Sequence, residues 1–505
     1  MGIVLRQSVK SSIVTFFGAF LGAVSNLIYT YILSKTELGL FTNIIYTGAM
    51  LQIFMTLGMG VTITIYTQKY PEQDPRRKVL FSVGAIITTL TTLIFAIGYT
   101  LLKQPIVNLY QEADRPMVNQ YFYWIPVLIF LISFGSLFEY YLISQTKIAI
   151  SLFTKEVLLR LLNLVLLVLF FFHIIGFASF IASSVLVYVI PALVLFFVSS
   201  RTRSFGFSNH WSAFSKEEYK DIIKFAWYHL LLGISLNVMG YIDTIMLGSL
   251  DKNGVQSIAP YRLAVFVVTI MLIPYKAIAS SSLASLNQAY IDKDEVKLKD
   301  LFTRSGINIL IVAVGMFLFI GCNLDNAVVI LPKGYEIIKP IAVILMIGRF
   351  IDMATGLNNE IIAVSKFYKF NFRISFVLLI MAFLFNRALI PVYGIYGAAW
   401  GITIALGLFN IFKLIFLWRK MDLHPFSKNS LQVLIAGVVA GLIGYFIPHL
   451  YFLTDVHTKW ANPAIDGIVR SISIAAVYIT LLIIFRPSSD LSDYLSSIIK
   501  NKRLF

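Results

Sequence analysis

The feature that most restricts this chain is a succession of apolar runs, each long enough to span a bilayer as a helix of about 20 residues. They fall near residues 11–34, 40–67, 79–102, 119–146, 155–175, 177–200, 222–248, 256–290, 301–321, 340–365, 371–391, 393–418, 430–451 and 466–486. Hydrocarbon offers no partner to a backbone N–H or C=O, so runs of this kind cross it as helices that satisfy themselves. The expected fold is an all-α polytopic membrane protein of about 14 transmembrane helices. Composition agrees: 58% of the 505 residues are hydrophobic and 13% are charged, too little polar surface for a soluble protein of this size. The opening MGIVLRQSVKSSIVTFF is basic and then apolar, with no small-residue cleavage site after it. It reads as a first transmembrane helix rather than a removed signal.

A net charge of +16 would suit a nucleic-acid partner, but the distribution of the charge argues against one. Lys and Arg gather in short hydrophilic gaps: QKYPEQDPRRK, RTRSFGFSNHWSAFSKEEYK, DKDEVKLKDLFTR, SKFYKFNFR, WRKMDLHPFSK and the tail ending KNKRLF. With the N-terminus inside, an even number of spans puts all of these on the cytoplasmic side, as the positive-inside bias requires; an odd number would scatter them. The chain is therefore expected in the plasma (inner) membrane, multi-pass, with both termini cytoplasmic. The single cysteine, Cys322, excludes a disulfide framework, and the six histidines are scattered without HxxxH or HExxH spacing, so no metal site is expected. No Walker A or GxSxG pattern occurs. No catalytic residue or bound cofactor is expected, and transport must run on an H⁺ or Na⁺ gradient or on the substrate's own concentration difference.

A coarse repeat divides the chain. LIYTYILSKTELGLFTNIIYTG and YIDTIMLGSLDKNGVQSIAPYRLA each set a short polar, glycine-containing connector between long apolar helices, and each opens a block of about six spans. Blocks with an even number of helices share one orientation and form parallel repeats. The expected organisation is a lobe over 1–200 (spans 1–6), a cytoplasmic linker over 201–221, and a second lobe over 222–420 (spans 7–12). Residues 421–505 then supply spans 13 and 14 as a helix pair with a cytoplasmic tail. GAFLG at 18–22, GVVAG at 437–441 and GIYGAAWG at 394–401 are small-residue patterns that allow helices to approach closely.

Within the spans stand charges that lipid penalises by a few kcal/mol each: Glu139, Asp243, Arg262, Lys276, Arg349, Asp352, Glu360 and Lys413. On a continuous helix, Arg349, Asp352, Gly356 and Glu360 fall within an arc of about 80°, a polar stripe with Asn359 at its edge. A self-neutralised Arg349–Asp352 pair serving only helix packing leaves Glu360 on that face unexplained, so the stripe reads as a cavity lining. Arg262 and Lys276, fourteen residues apart, return to within about 40° of one another, some 21 Å apart, with Pro274 between them able to bend the helix. The plainer readings are a salt bridge from Arg262 to Asp243, and snorkelling to the membrane surface for Lys276, Lys413 and Glu139. Several cations facing water inside a membrane suit an anionic, phosphate-bearing substrate.

SNLIYTYILSKTELGLFTNIIYTGAMLQIFMTLGMGVTITIY, YIDTIMLGSL followed by APYRLA, and IPVYGIYGAAWGITIA resemble polysaccharide-transport proteins of the multidrug/oligosaccharidyl-lipid/polysaccharide exporter (MATE/MOP) superfamily. The resemblance, soft but spread over nearly the whole chain, implies two six-helix lobes working by alternating access. It also implies a Wzx-like flippase that carries an undecaprenyl-diphosphate-linked oligosaccharide across the plasma membrane for O-antigen, capsule or exopolysaccharide biosynthesis. On that reading Arg262, Lys276 and Arg349 bind the substrate, and Asp243, Asp352, Glu360 and Glu139 couple to H⁺ or Na⁺. Expected partners are the lipid-linked oligosaccharide, membrane lipids and other polysaccharide assembly proteins. Drug exporters of the superfamily typically carry an acidic residue in the first helix, and residues 11–34 hold none. Lipid II flippases tend to carry arginines within the first two spans, which here have none in their bodies. A membrane-embedded glycan polymerase would need a large outer loop or soluble domain, and the outer gaps near 103–118, 322–339 and 452–465 are short; the chain is not expected to be an enzyme.

Overall fold

A computed structural model describes residues 2–450 and 461–491 of the chain. Among the described residues every regular element is a helix, as the apolar runs require. Ten helices among the described residues are long and apolar enough to cross a membrane alone, from Ile13–Ile32 and Lys35–Met55 to Lys428–Phe446 and Ala461–Phe485. Two bent pairs, Gly254–Thr269 with Leu272–Ile291 (42°) and Ile338–Ala354 with Asn358–Val364 (44°), raise the count to 12 if each is one span. Fourteen uninterrupted crossings are not found, and the two remaining runs show why. In 155–175 the helix Leu159–Phe171 is preceded by a π-helical stretch, Phe153–Leu158, that carries Lys155 and Glu156. In 222–248 a tight turn at Val238–Gly240 separates Lys216–Asn237 from Ile242–Leu250. Most of the expected outer loop 452–465, and the expected tail from residue 492, lie outside the described residues.

Sequence signals at the polar ends of the helices set where they start. Ser34 accepts a hydrogen bond from the Glu37 backbone while Glu37 accepts one from the Ser34 backbone, and Ser215 and Glu218 repeat the arrangement. Each such box satisfies two of the amides that a helix start leaves open. Before Arg76–Leu101, Asp74 receives the Arg76 guanidinium at 2.7 Å, which holds its carboxyl below the usual carboxylate range. Along the outside, large apolar side chains stand bare, Leu101 at 78% and Ile94 at 69% exposure among them. Such a surface suits lipid and would aggregate in water.

The chain divides into two compact units, Met1–Ala259 and Pro260–Phe505. In the first, Met59, Ile63, Leu80, Phe81, Leu137 and Tyr141 form a buried cluster. The beginning of the segment read as a linker packs onto it: the ring of Phe205 lies edge-on to Phe81 at 4.9 Å, and the Tyr141 hydroxyl meets Thr202 Oγ1 (2.7 Å) and Ser204 Oγ (2.8 Å). GAFLG does what its small residues suggest. A Cβ on Gly18 would stand 2.7 Å from Glu156 Cβ, and one on Gly22 would stand 2.6 Å from the Arg160 guanidinium. Arg160 in turn donates to the Gly18 carbonyl and pairs with Glu156 at 2.6 Å.

In the second unit the last two helices pack on Glu295–Gly321 through Ile307, Leu310, Val314, Ala436, Ala440, Ile474 and Tyr478. GVVAG makes this approach possible, since a Cβ on Gly437 would stand 2.4 Å from Val314 and one on Gly441 2.9 Å from Leu318. Within Ala461–Phe485, Asp466 (0% exposed) and Arg470 (3%) form an ion pair at 3.1 Å. Asn326 Nδ2 (2.6 Å) and the Leu450 backbone (2.8 Å) donate to Asp466, and Arg470 donates to the Gly444 carbonyl (2.6 Å). Every formal charge in this cluster is therefore answered inside the protein. Removing one partner of such a buried pair strands the other, at a cost of about 3–5 kcal/mol. Asp466→Ala is expected to lower the thermal midpoint in detergent markedly, and Asp466→Ala/Arg470→Leu by less than the single change. Equal midpoints for the parent and Asp466→Ala would contradict this account.

Candidate functional site

The stretch LMIGRFIDMATGLNNEIIAVSK, expected as one helix, is broken. Ile338–Ala354 ends, Gly356 takes a left-handed φ of 68°, and Asn358–Val364 resumes at 44° to the first segment. A glycine is required because φ there is positive, and because a Cβ would come within 3.1 Å of the Gly306 Cα on the neighbouring helix. The single stripe read from a continuous helix is thus corrected: Arg349 and Asp352 sit on one segment and Glu360 on the other.

A helix break inside a membrane protein frees backbone groups and needs side chains to cover them. Thr355 Oγ1 reaches the Asp352 carbonyl at 2.8 Å, and Thr355 and Asn358 join a side-chain network with Asn410 from helix Ile395–Met421. Thr355 Oγ1 donates to Asn410 Oδ1 (3.0 Å), and Asn358 Nδ2 donates to Thr355 Oγ1 (2.7 Å) and Asn410 Oδ1 (3.0 Å). Asn410 Nδ2 completes the link by donating to Asp352 Oδ1 at 3.0 Å. One turn further along the same helix is Lys413. Read from sequence as snorkelling, it is instead fully buried. Its ammonium donates to the Asn359 side-chain oxygen, lies 3.9 Å from the centre of the Phe409 ring, and interacts electrostatically with Asp352 and Glu360. The Tyr275 hydroxyl approaches both oxygens of Glu360, at 3.3 and 3.4 Å. The result is a compact polar centre in which the buried Lys413 lies within electrostatic reach of Asp352 and Glu360 without a direct ion pair to either.

Arg349 stands at the edge of this centre. Its ion pair with Asp352 is loose, 3.9 Å, and its side chain is 30% exposed. Arg349 is the more exposed cation of the group, and it shares Asp352 with the Asn410 amide. Arg262, half-buried on Ile258–Thr269, acts on Tyr335: burial pushes that phenol up to about 12 while the positive charge of Arg262 opposes the rise. Lys276 is exposed. The expected common face of Arg262 and Lys276 is corrected as well, because the 42° bend between Thr269 and Leu272 ends the straight axis on which it was projected, ahead of Pro274.

The remaining residues lie in the first unit. Asp243 is buried at the start of Ile242–Leu250 and accepts from the Thr244 backbone at 2.8 Å. Glu139 lines a cavity of about 400 Å³ together with Gln52, Tyr140, Lys155, His229 and Asn237. Lys155 Nζ lies 4.0 Å from its carboxylate. Among the described residues no group of three or more His, Cys, Asp or Glu is arranged to hold a metal.

Sequence reasoning missed Asn410, Thr355 and Tyr275 as members of the centre, and the self-neutralised pairs Glu156–Arg160 and Asp466–Arg470. Spacing carried a usable signal in three cases: Asn410 precedes Lys413 by three residues, and both pairs are i, i+4, so each set shares a helix face.

The chain matches the family described as polysaccharide biosynthesis protein over residues 4–284. No curated protein matches it. Among solved structures, the lipid II flippase MurJ in an inward closed conformation superposes with a TM-score of 0.70 at 16% identity, covering 94% of this chain and 100% of the other. An inward-facing multidrug resistance MATE family transporter of the MOP superfamily gives 0.63 at 16% identity, with 82% and 98% covered. A MOP superfamily transporter from Pyrococcus furiosus, described by the reversed polarity of its binding pocket, gives 0.53 at 16%, with 83% and 96% covered. The chain therefore shares the fold of these transporters.

The polar centre makes a prediction. Lys413→Met removes the buried ammonium that acts on Asp352 and Glu360 and donates to Asn359, and is expected to lower the thermal midpoint in detergent. Adding Asp352→Asn should recover part of the loss. A midpoint indifferent to Lys413→Met would contradict the arrangement.

Proposed function

From the premise that this chain belongs to the polysaccharide biosynthesis protein family, we propose that it is a flippase for an undecaprenyl-diphosphate-linked oligosaccharide. On this reading it moves the lipid-linked glycan across the plasma membrane by alternating access, for assembly of an O-antigen, capsule or exopolysaccharide. The chain relocates its substrate and makes or breaks no covalent bond.

The observation that carries the proposal is the polar centre around the broken helix. It holds two carboxylates against one buried ammonium and leaves Arg349 half-exposed with only a loose internal partner. A guanidinium in this condition binds a phosphate oxygen pair bidentately. Arg349 is assigned to the diphosphate, with Arg262 and Lys276 as further cations along its route. Asp352 and Glu360 couple the cycle to H⁺ or Na⁺: neutralising either one frees Lys413 and Arg349 to rearrange. Glu139 and Asp243 are assigned the same role in the first unit, Glu139 from the wall of its cavity. A lipid cargo is further supported by the shared fold with a structure titled a lipid II flippase. Lipid II itself is the second reading, and drug export the third; cations facing the cargo disfavour cationic drugs.

Basic gaps on one side support an orientation with both termini cytoplasmic. The other components of glycan assembly are the proposed partners.

Arg349→Ala should reduce surface glycan roughly tenfold or more, in line with loss of one hydrogen bond to a charged group, at unchanged protein level in the membrane. Arg349→Lys, which keeps the charge and loses the fork, should fall between the two. Surface glycan at the parental level in Arg349→Ala would remove this residue from the mechanism.

A further inference from the structure

A groove of about 1,050 Å³ opens where three apolar helices of the second unit end. Its walls come from residues 289–299, 366–367 and 418–423, three gaps that the basic-loop pattern assigns to the cytoplasmic side. Five cations line it, Lys293, Lys299, Lys366, Arg419 and Lys420, against three carboxylates, Asp294, Glu295 and Asp422. Two of the carboxylates are already engaged. Asp422 pairs with Lys299 at 3.1 Å, and Asp294 caps the following helix by accepting from the Lys297 backbone at 2.9 Å. Tyr290 fixes the wall, its hydroxyl accepting from the Lys366 backbone at 2.7 Å. What remains facing the groove is a set of cations in excess.

The helix that ends in this groove carries a second, independent feature. Trp400, Ile404, Ile411, Ile415 and Trp418 are all 38–60% exposed. At 100° per residue they fall within an arc of about 60°, a continuous apolar strip some 27 Å long, close to the hydrocarbon thickness of a bilayer. The opposite face of the same helix is buried through Leu406, Phe409, Asn410, Lys413 and Leu417. The strip therefore faces lipid along its length and terminates at Trp418, an indole at membrane-interface depth, beside Arg419 and Lys420. Acyl chains that lie along the strip deliver their headgroup into the groove.

We propose that this groove is a binding site for an anionic phospholipid of the surrounding leaflet. The acyl chains rest on the half of the strip next to the groove, along Ile411, Ile415 and Trp418, and the phosphate is held by Lys366, Arg419 and Lys420. Each basic side chain at such a surface attracts an anionic headgroup appreciably, and arginine adds a bidentate contact to the phosphate. The site lies apart from the polar centre of the broken helix, so its test does not depend on the transport reading.

Full-length protein in mixed phosphatidylcholine and phosphatidylglycerol nanodiscs, released and weighed by native mass spectrometry, should retain phosphatidylglycerol in preference to phosphatidylcholine. The triple variant Lys366→Gln/Arg419→Gln/Lys420→Gln should lose that retention by about tenfold or more, while Lys252→Gln/Lys333→Gln, on other loops, should keep it. Equal retention by parent and triple variant would overturn the proposal. So would saturable retention of a polyprenyl diphosphate together with none of phosphatidylglycerol. A second measurement leaves the charges intact: acyl-brominated phosphatidylglycerol should quench tryptophan fluorescence more than brominated phosphatidylcholine, and Trp418→Phe should abolish the difference. Identical quenching by the two lipids in the parent would equally count against the site.

Discussion

Hydrocarbon gives a polar group nothing to bond to, so each charge inside this protein must find its answer within the protein itself. The chain meets that demand in three ways. Charges four residues apart on one helix neutralise each other, as Glu156 with Arg160 and Asp466 with Arg470. Glycines bring a neighbouring helix close enough to finish the job, as Gly18 and Gly22 do at the first of these pairs. Around the broken helix, an amide and hydroxyl network from Thr355, Asn358 and Asn410 holds Asp352, the Tyr275 hydroxyl reaches Glu360, and a buried lysine acts on both carboxylates from nearby. The balance is tightest at Asp466 and Arg470 and loosest at Arg349, whose pair with Asp352 is 3.9 Å long.

The fold class was legible because its signal is long and redundant: run after run of about 20 apolar residues leaves little else possible. The number of crossings was less so, since length alone does not reveal where a helix breaks. Gly356 is the instructive case. A glycine in an apolar run more often serves packing, and here its positive φ splits the very stripe that a straight projection had drawn through it. Lys413 erred the other way. Its position near the end of a run suited snorkelling, and only the approach of Asn359, 54 residues away in sequence, together with Phe409 one turn back on the same helix, reveals a buried ammonium. GAFLG and GVVAG, by contrast, meant what their spacing said, because close approach depends on small size alone.

Charge is distributed by role in the second unit. Inside the spans, Asp466 and Arg470 cancel one another, and Arg349 and Lys413 stand near Asp352 and Glu360. At the helix ends cations are in excess, and the groove beside Trp418 places them at the foot of a lipid-facing strip. A carrier of a lipid-linked anion needs both: a centre whose charge can be rearranged during a cycle, and a surface that holds its own leaflet in register while it does so.

The central claim, that the chain carries a lipid-linked diphosphate across a bilayer, is tested most directly in sealed proteoliposomes. A fluorescent polyprenyl-diphosphate glycan is loaded into both leaflets, and an impermeant reductant added outside destroys the outer pool. The account predicts that protein-containing vesicles lose the inner pool as well, faster than protein-free vesicles. Loss of the outer pool alone, identical with and without protein under imposed H⁺ and Na⁺ gradients, would contradict it.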